Sequence, residues 1–146
     1  MMRGLVQRVK RAEVRVDGKI VGSIGSGLCV FVGVTHDDEE IQAEKLAEKI
    51  ANMRIMDGAN GSMNLSISET FGEILVVSQF TLYGDVTKGR RPTWSAAATP
   101  EHAEPLINHV IEKLRSAGIA VSTGIFREYM IVDLVNDGPA TLMVEV

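Results

Sequence analysis

The chain has 146 residues, 45% hydrophobic and 23% charged, the make-up of one globular domain with room for a core. Its net charge of −4 argues against a general nucleic-acid binder, whose surface is usually basic. A single cysteine excludes an internal disulfide framework or multi-cysteine metal cluster, and no apolar run approaches a membrane span, so a cytoplasmic protein without a leader is expected.

Residues 1 to 20 place Leu5, Val6, Val9, Ala12, Val14 and Val16 among charges at roughly alternating spacing, which predicts a strand ending at Asp17-Gly18. That dipeptide is a strong hairpin signal, and Ile20-Val21 resumes a strand behind it. Gly25-Ser26-Gly27 reads as a turn, and Leu28 to Val34 as a buried strand. A helix follows, capped by Thr35 or Asp37, with acids in its first turn and Ala43, Leu46, Ala47, Ile50 and Met53 at helical spacing. Asp57 to Ser62 is dense in turn formers and reads as a loop. Glu73 to Leu82 is strand-like, and its apolar run Ile74 to Val77 suits a central strand. Tyr83 to Pro92 reads as loop.

The second helix is the clearest element. Thr99-Pro100 supplies a cap and a first-turn proline, Ala103, Leu106, Ile107, Val110, Ile111 and Leu114 line one face, and Gly118 stops it. Pro105 lies close enough to the start to be tolerated. Two closing strands, Met130 to Val135 and Thr141 to Val146, are expected on either side of Asn136-Asp137-Gly138-Pro139. These elements make a single domain over residues 1–146, α/β of the α+β type, with a mixed or antiparallel sheet and two principal helices. A sheet with few helices leaves faces to cover, and pairing of two copies is one way to cover them.

The usual catalytic constellations are missing. His36, His102 and His109 have no H-x-x-x-H spacing; two lie on the second helix, where packing explains them better than ligation, and His36 reads as a solvated turn residue. There is no G-x-S-x-G elbow, and Lys88-Gly89-Arg90-Arg91 lacks the glycines of a P-loop. Cys29 sits within an apolar strand and reads as a buried structural thiol. Two segments remain. In Ser78-Gln79-Phe80-Thr81-Leu82-Tyr83-Gly84-Asp85 an apolar strand turns polar, and backbone N–H groups leaving a sheet can build an oxyanion site; ordinary strand termination is the competing account. In Asn136-Asp137-Gly138-Pro139-Ala140-Thr141, Gly-Pro is either a plain turn or a cis bond, and glycine lets a backbone carbonyl approach a ligand closely.

Together these two segments resemble the two signature motifs of the D-aminoacyl-tRNA deacylase family. The resemblance extends to Leu5-Val6-Gln7-Arg8-Val9, Gly33-Val34-Thr35-His36, Tyr83-Gly84-Asp85 and Lys88-Gly89-Arg90-Arg91-Pro92. It implies the family's barrel-like fold and a homodimer with active sites at the interface. Gly138-Pro139 would be cis and would project into the partner's pocket, where its carbonyls act as a chiral gate. An L side chain would meet those oxygens; a D side chain or glycine would not, so glycyl-tRNA joins D-aminoacyl-tRNA as an expected substrate. Ser78, Gln79, Phe80 and Thr81 would form the catalytic edge, with N–H groups around Phe80 and Thr81 serving the oxyanion and the tRNA's terminal 2′-OH assisting. Thr81 is a nucleophile by residue type but has no adjacent base in sequence, which favours a positioning role. Met130 matches a pocket-lining position, although it also suits a core. Arg8, Lys10, Lys88, Arg90 and Arg91 are candidate tRNA contacts, few enough for a modest salt dependence. No metal or cofactor is expected. The chain departs from the family at Phe126-Arg127-Glu128-Tyr129-Met130, where relatives commonly carry a small, glycine-containing stretch. Three other readings compete: a non-catalytic binder of the tRNA acceptor end, an editing domain like that of some threonyl-tRNA synthetases, and a generic small-ester hydrolase, disfavoured because no triad or elbow is present.

Overall fold

The computed structural model describes every residue from Met1 to Val146. Alternation along β1 (Arg3–Val16) buries Gly4, Val6 and Arg8, then Ala12, Val14 and Val16. At Asp17-Gly18 both residues take positive φ, 51° and 76°, the conformation a two-residue hairpin turn requires, and β2 (Lys19–Ile24) returns antiparallel. After Gly25-Ser26, β3 (Gly27–Gly33) continues in the same direction. Leu5 faces both Phe31 of β3 and Met143 near the C-terminus, and Ala12 faces both Ile24 of β2 and Leu134. Thus β2 and β3 share one edge of β1, and the C-terminal strand takes the other.

Helix α1 (Glu40–Asn52) is capped by Glu39, not by Thr35 or Asp37, through a reciprocal box with Gln42. Asp38 displaces the expected caps: its buried carboxylate accepts the Thr35 N–H at 2.8 Å and holds the turn in place. The stretch read as a loop is the tip of a hairpin, β4 (Arg54–Gly58) and β5 (Gly61–Ser66), turned at Ala59-Asn60. Its turn formers mark the bend, while strands this short carry too little alternation to be seen.

Strand β6 (Glu73–Ser78) pairs parallel with β3. It ends four residues sooner than the apolar pattern suggests, and Phe80–Tyr83 curls into one 3₁₀ turn. Helix α2 (Pro100–Ser116) starts at the Thr99 cap and ends beside Gly118 at φ 86°, as its sequence predicts. It leads to β7 (Val121–Thr123), parallel to β6 and too short to be foreseen. β7 returns against β2, where Ser122 Oγ donates to the Ser23 carbonyl at 3.3 Å. A Cβ on Gly22 would stand 2.4 Å from the Thr123 carbonyl oxygen, so only glycine permits this approach. The sheet is thereby nearly closed into a barrel.

The two expected closing strands are one strand, β8 (Ile131–Glu145), antiparallel to β1 along its whole length. Thr141 opposes Gln7 and Asn136 opposes Val9, so Asp137 to Ala140 bulges out opposite Arg8 alone. A Gly-Pro pair looks like a strand breaker, but here the bulge absorbs it and the ladder resumes.

The near-continuous apolar runs of β3 and β6 arise because both faces are covered. Leu28, Val30, Val32, Ile74 and Val76 pack with α1 and α2 in a core of 23 buried residues. Cys29, Leu75 and Val77 point the other way, into a second core with Val9, Ala12, Val14 and Ile24.

Candidate active site

The polar end of β6 opens into a cleft. Gln79 N–H still bonds the Val32 carbonyl at 2.8 Å, completing the ladder; the chain then curls, with Leu82 N–H on Gln79 O at 3.2 Å and Gly84 N–H on Thr81 O at 3.0 Å. The N–H groups of Phe80 and Thr81 precede the first bond of this turn, so the turn itself supplies them no acceptor. The Gln79 side-chain amide donates to Thr81 Oγ1. That bond occupies a lone pair of the hydroxyl and leaves its proton free to donate. From β1, Arg3 Nη1 donates to the Leu82 carbonyl at 2.8 Å, and its guanidinium lies 4.4 Å from the centre of the Tyr83 ring. Burial, reinforced by the Asp38 charge, pushes the Tyr83 hydroxyl up to about 12 against the opposing pull of Arg3. The turn is therefore held at its far end by a cation and a buried ring.

The cleft encloses about 800 Å³ and is lined mostly by apolar side chains. Ser78, Gln79, Phe80 and Thr81 form one wall, the start of α2 another, and Phe126 to Met130 the third. Phe80 meets Trp94 edge to face, ring centres 5.6 Å apart and planes at 73°. Met130 packs against Gly124, where a Cβ would stand 2.5 Å from its sulfur. No patterned signal marks Trp94 as a site residue; it reaches the cleft because the Asp85–Thr93 backbone pair, at 2.8 and 2.9 Å, folds the preceding loop back.

Gly138 and Pro139 do not line this cleft; both are exposed on the bulge of β8, and the bond between them is cis. The bulge rests on Arg8, which is 5% exposed. Its Nε donates to the Asp137 carbonyl at 3.1 Å and Nη2 to the Gly138 carbonyl at 3.3 Å; Nη1 reaches the Ile55 carbonyl at 2.9 Å and Asp57 Oδ1 at 3.1 Å. Asn136 Nδ2 in turn donates to the Arg8 carbonyl at 2.9 Å and to the Ala140 carbonyl at 3.3 Å. A guanidinium so committed has one N–H left and no exposed face, which removes Arg8 from the candidate phosphate contacts. Sequence alone cannot separate a buried arginine from a solvated one in a strand that alternates with charges.

The other basic candidates are exposed. Lys10 Nζ lies 4.0 Å from the Asp137 carboxylate, while Lys88, Arg90 and Arg91 stand on the loop between Gly84 and Thr93 without an acidic partner in the chain. Within that loop, Thr87 hydroxyl and N–H hold the Asp85 carboxyl below its ordinary range. The histidines make polar contacts within the chain: His102 Nε2 lies 2.7 Å from the Asp38 carbonyl and His109 Nε2 3.2 Å from Glu44, while His36 is exposed in its turn with Nε2 2.6 Å from the Ser95 carbonyl. Cys29 is fully buried, and burial pushes its thiol up to about 12.

A family model described as D-Tyr-tRNA(Tyr) deacylase matches residues 5–145. The chain is 51% identical to a D-aminoacyl-tRNA deacylase of Symbiobacterium thermophilum over 145 residues, covering 99% of this chain and 96% of that protein. It is 54% identical to a D-aminoacyl-tRNA deacylase of Brevibacillus brevis over 144 residues, covering 99% of each. Among solved structures, a c-Myc DNA Unwinding Element Binding Protein superposes with a TM-score of 0.91 at 37% identity, over 99% of this chain and 98% of that one.

Proposed function

The chain belongs to the D-Tyr-tRNA(Tyr) deacylase family, and from that premise we propose that it is the hydrolase that releases D-amino acids from mischarged tRNA. The aminoacyl ester enters the cleft, and its carbonyl oxygen meets the N–H groups of Phe80 and Thr81. An aminoacyl ester is already activated, so aligning a water and stabilising the oxyanion suffice. Water adds to the acyl carbon, the bond to the ribose oxygen breaks, and the terminal hydroxyl leaves with a proton. With its lone pair held by Gln79, Thr81 acts as a hydrogen-bond donor beside the reacting carbonyl, and the neighbouring 2′-OH assists.

The observation that carries this reading is the bulge of β8. It fixes two carbonyls on Arg8 and exposes Gly138 and Pro139, neither of which lines the cleft of its own chain. Such a device has a use if it serves a second copy. The outer edge of β8 supports the pairing, because no strand covers it and Ile131, Val135, Leu142 and Met143 are 39–56% exposed. In the resulting homodimer each gate closes the partner's cleft: an L side chain runs into carbonyl oxygens, whereas a D side chain or the hydrogen of glycine passes. Glycyl-tRNA(Ala) is then a second substrate. Lys10, Lys88, Arg90 and Arg91 meet acceptor-stem phosphates, in keeping with a cytoplasmic role in translation quality control.

The test is hydrolysis of D-tyrosyl-tRNA, glycyl-tRNA(Ala) and D-tyrosine ethyl ester by the purified protein, with a chelator present. Fast turnover of the two tRNA esters and slow turnover of the ethyl ester are expected. Binding of D-tyrosyl-tRNA without hydrolysis would leave an acceptor-end binder, and equal turnover of all three would leave a general esterase.

A further inference from the structure

Tyr129 lines the cleft and is not part of either hydrophobic core of the chain. It is 83% exposed and makes no ring–ring contact in the chain. A tight turn carries it there: Glu128 N–H bonds the Ile125 carbonyl at 3.3 Å, and Arg127 adopts φ 69°. The left-handed region is costly for a non-glycine residue, and such strain gathers where a ligand is met.

Three further aromatic residues, Phe80, Trp94 and Phe126, line the cleft. Phe126 is partly buried and packs against the main core, while Phe80 and Trp94, in edge-to-face contact, are exposed residues lining the same cleft. An ester that reaches the Phe80–Thr81 turn brings its own nucleoside among these rings. The nucleic-acid strand then leaves across the rim, where Arg127, Glu128 and Tyr129 are all exposed, and the Glu128 carboxylate confines phosphate to the Arg127 side. Aromatic rings and guanidinium planes in single-strand channels stack on bases whatever their identity, and Arg127 adds attraction for the phosphate between the two nucleotides.

We infer that Tyr129, with Arg127 beside it, is the stacking platform for the penultimate base of the tRNA acceptor end. This inference rests on the reading of the cleft as the site of the aminoacyl end. It makes the enzyme a reader of at least two nucleotides, and it assigns Tyr129 to substrate binding rather than to the chemical step.

Three substrates of increasing length decide it: D-tyrosyl-adenosine, the D-tyrosyl ester of the dinucleotide CpA, and D-tyrosyl-tRNA. Tyr129→Ala should raise KM about tenfold for the dinucleotide and the tRNA, keep kcat, and leave D-tyrosyl-adenosine unchanged. Tyr129→Phe, which keeps the ring, should restore KM. An equal rise on all three substrates would move the contact to the terminal nucleoside and overturn the inference, as would no rise on any. A wild-type protein inert toward all three would instead overturn the hydrolase reading on which the inference stands.

Discussion

Replacing Arg8 by Met removes the support of the β8 bulge proposed as the gate while keeping an unbranched side chain in the strand. Arg8 makes four hydrogen bonds, and their costs differ with exposure. The Ile55 carbonyl is buried where Arg8 meets it, and leaving it unsatisfied costs about 1–3 kcal/mol. The Asp137 and Gly138 carbonyls are partly buried and cost about 1 kcal/mol each. The Asp57 carboxylate is 55% exposed, so water replaces the guanidinium there and the ion pair adds about 0–1 kcal/mol. The expected loss is about 3–6 kcal/mol of unfolding free energy in urea, overlapping the range for breaking a buried ion pair. Deacylation should suffer beyond that loss, because a gate displaced by about 1 Å can cost a hundredfold in rate even in folded protein. The assay pairs urea unfolding with deacylation of D- and L-tyrosyl-tRNA at a temperature where the variant is folded. An Arg8→Met protein of wild-type stability and wild-type D-over-L ratio would refute the role assigned to Arg8.

Two further outcomes follow from the same geometry. Replacing Lys88, Arg90 and Arg91 together by Ala should raise KM for every charged tRNA alike and leave kcat in place. It should also flatten the dependence of log KM on log salt by about 0.7–0.9 for each phosphate that is no longer neutralised; an unchanged slope would remove this loop from the interface. Cys29 should resist iodoacetamide in the native protein at pH 8 and react once unfolded, since its thiol stays protonated to about 12. In the unfolded chain it ionises near 9.0, so the unfolded state loses its proton first. Its contribution to stability is complete below pH 9 and falls by about 1.4 kcal/mol per pH unit from there toward 12. Unfolding free energies flat from pH 8 to 11 in wild type, matching those of Cys29→Ala, would contradict this.

Most of the fold was legible because its elements state themselves locally. Asp17-Gly18 fixes the first hairpin, Thr99-Pro100 and Gly118 bracket α2, and the apolar runs of β3 and β6 announce strands covered on both faces. What escaped depends on distant partners. β7 exists because β6 and β2 flank three residues, and the hairpin of β4 and β5 is too short for a period to emerge. β8 is one strand because β1 pairs with both halves, a long-range fact that overrides the local message of Gly138-Pro139. At the site, Ser78 to Thr81 stood out as a polar interruption of an apolar strand. Arg3 and Trp94 did not, and Arg8 stood out only as a tRNA contact, since nothing local tells a buried or anchoring side chain from a solvated one.

The central claim is that handedness is read by backbone at Gly138 and Pro139. A Cβ on Gly138 would meet only Asn136 Oδ1, at 3.6 Å, within its own chain. Gly138→Ala should therefore keep wild-type stability to within about 0.5 kcal/mol. The decisive measurement is deacylation of matched D- and L-tyrosyl-tRNA by wild type and by Gly138→Ala. The account predicts rapid loss of the D ester alone in wild type, and a D rate at least tenfold lower in the folded variant. Equal hydrolysis of both esters by wild type, or an unimpaired variant, would contradict it.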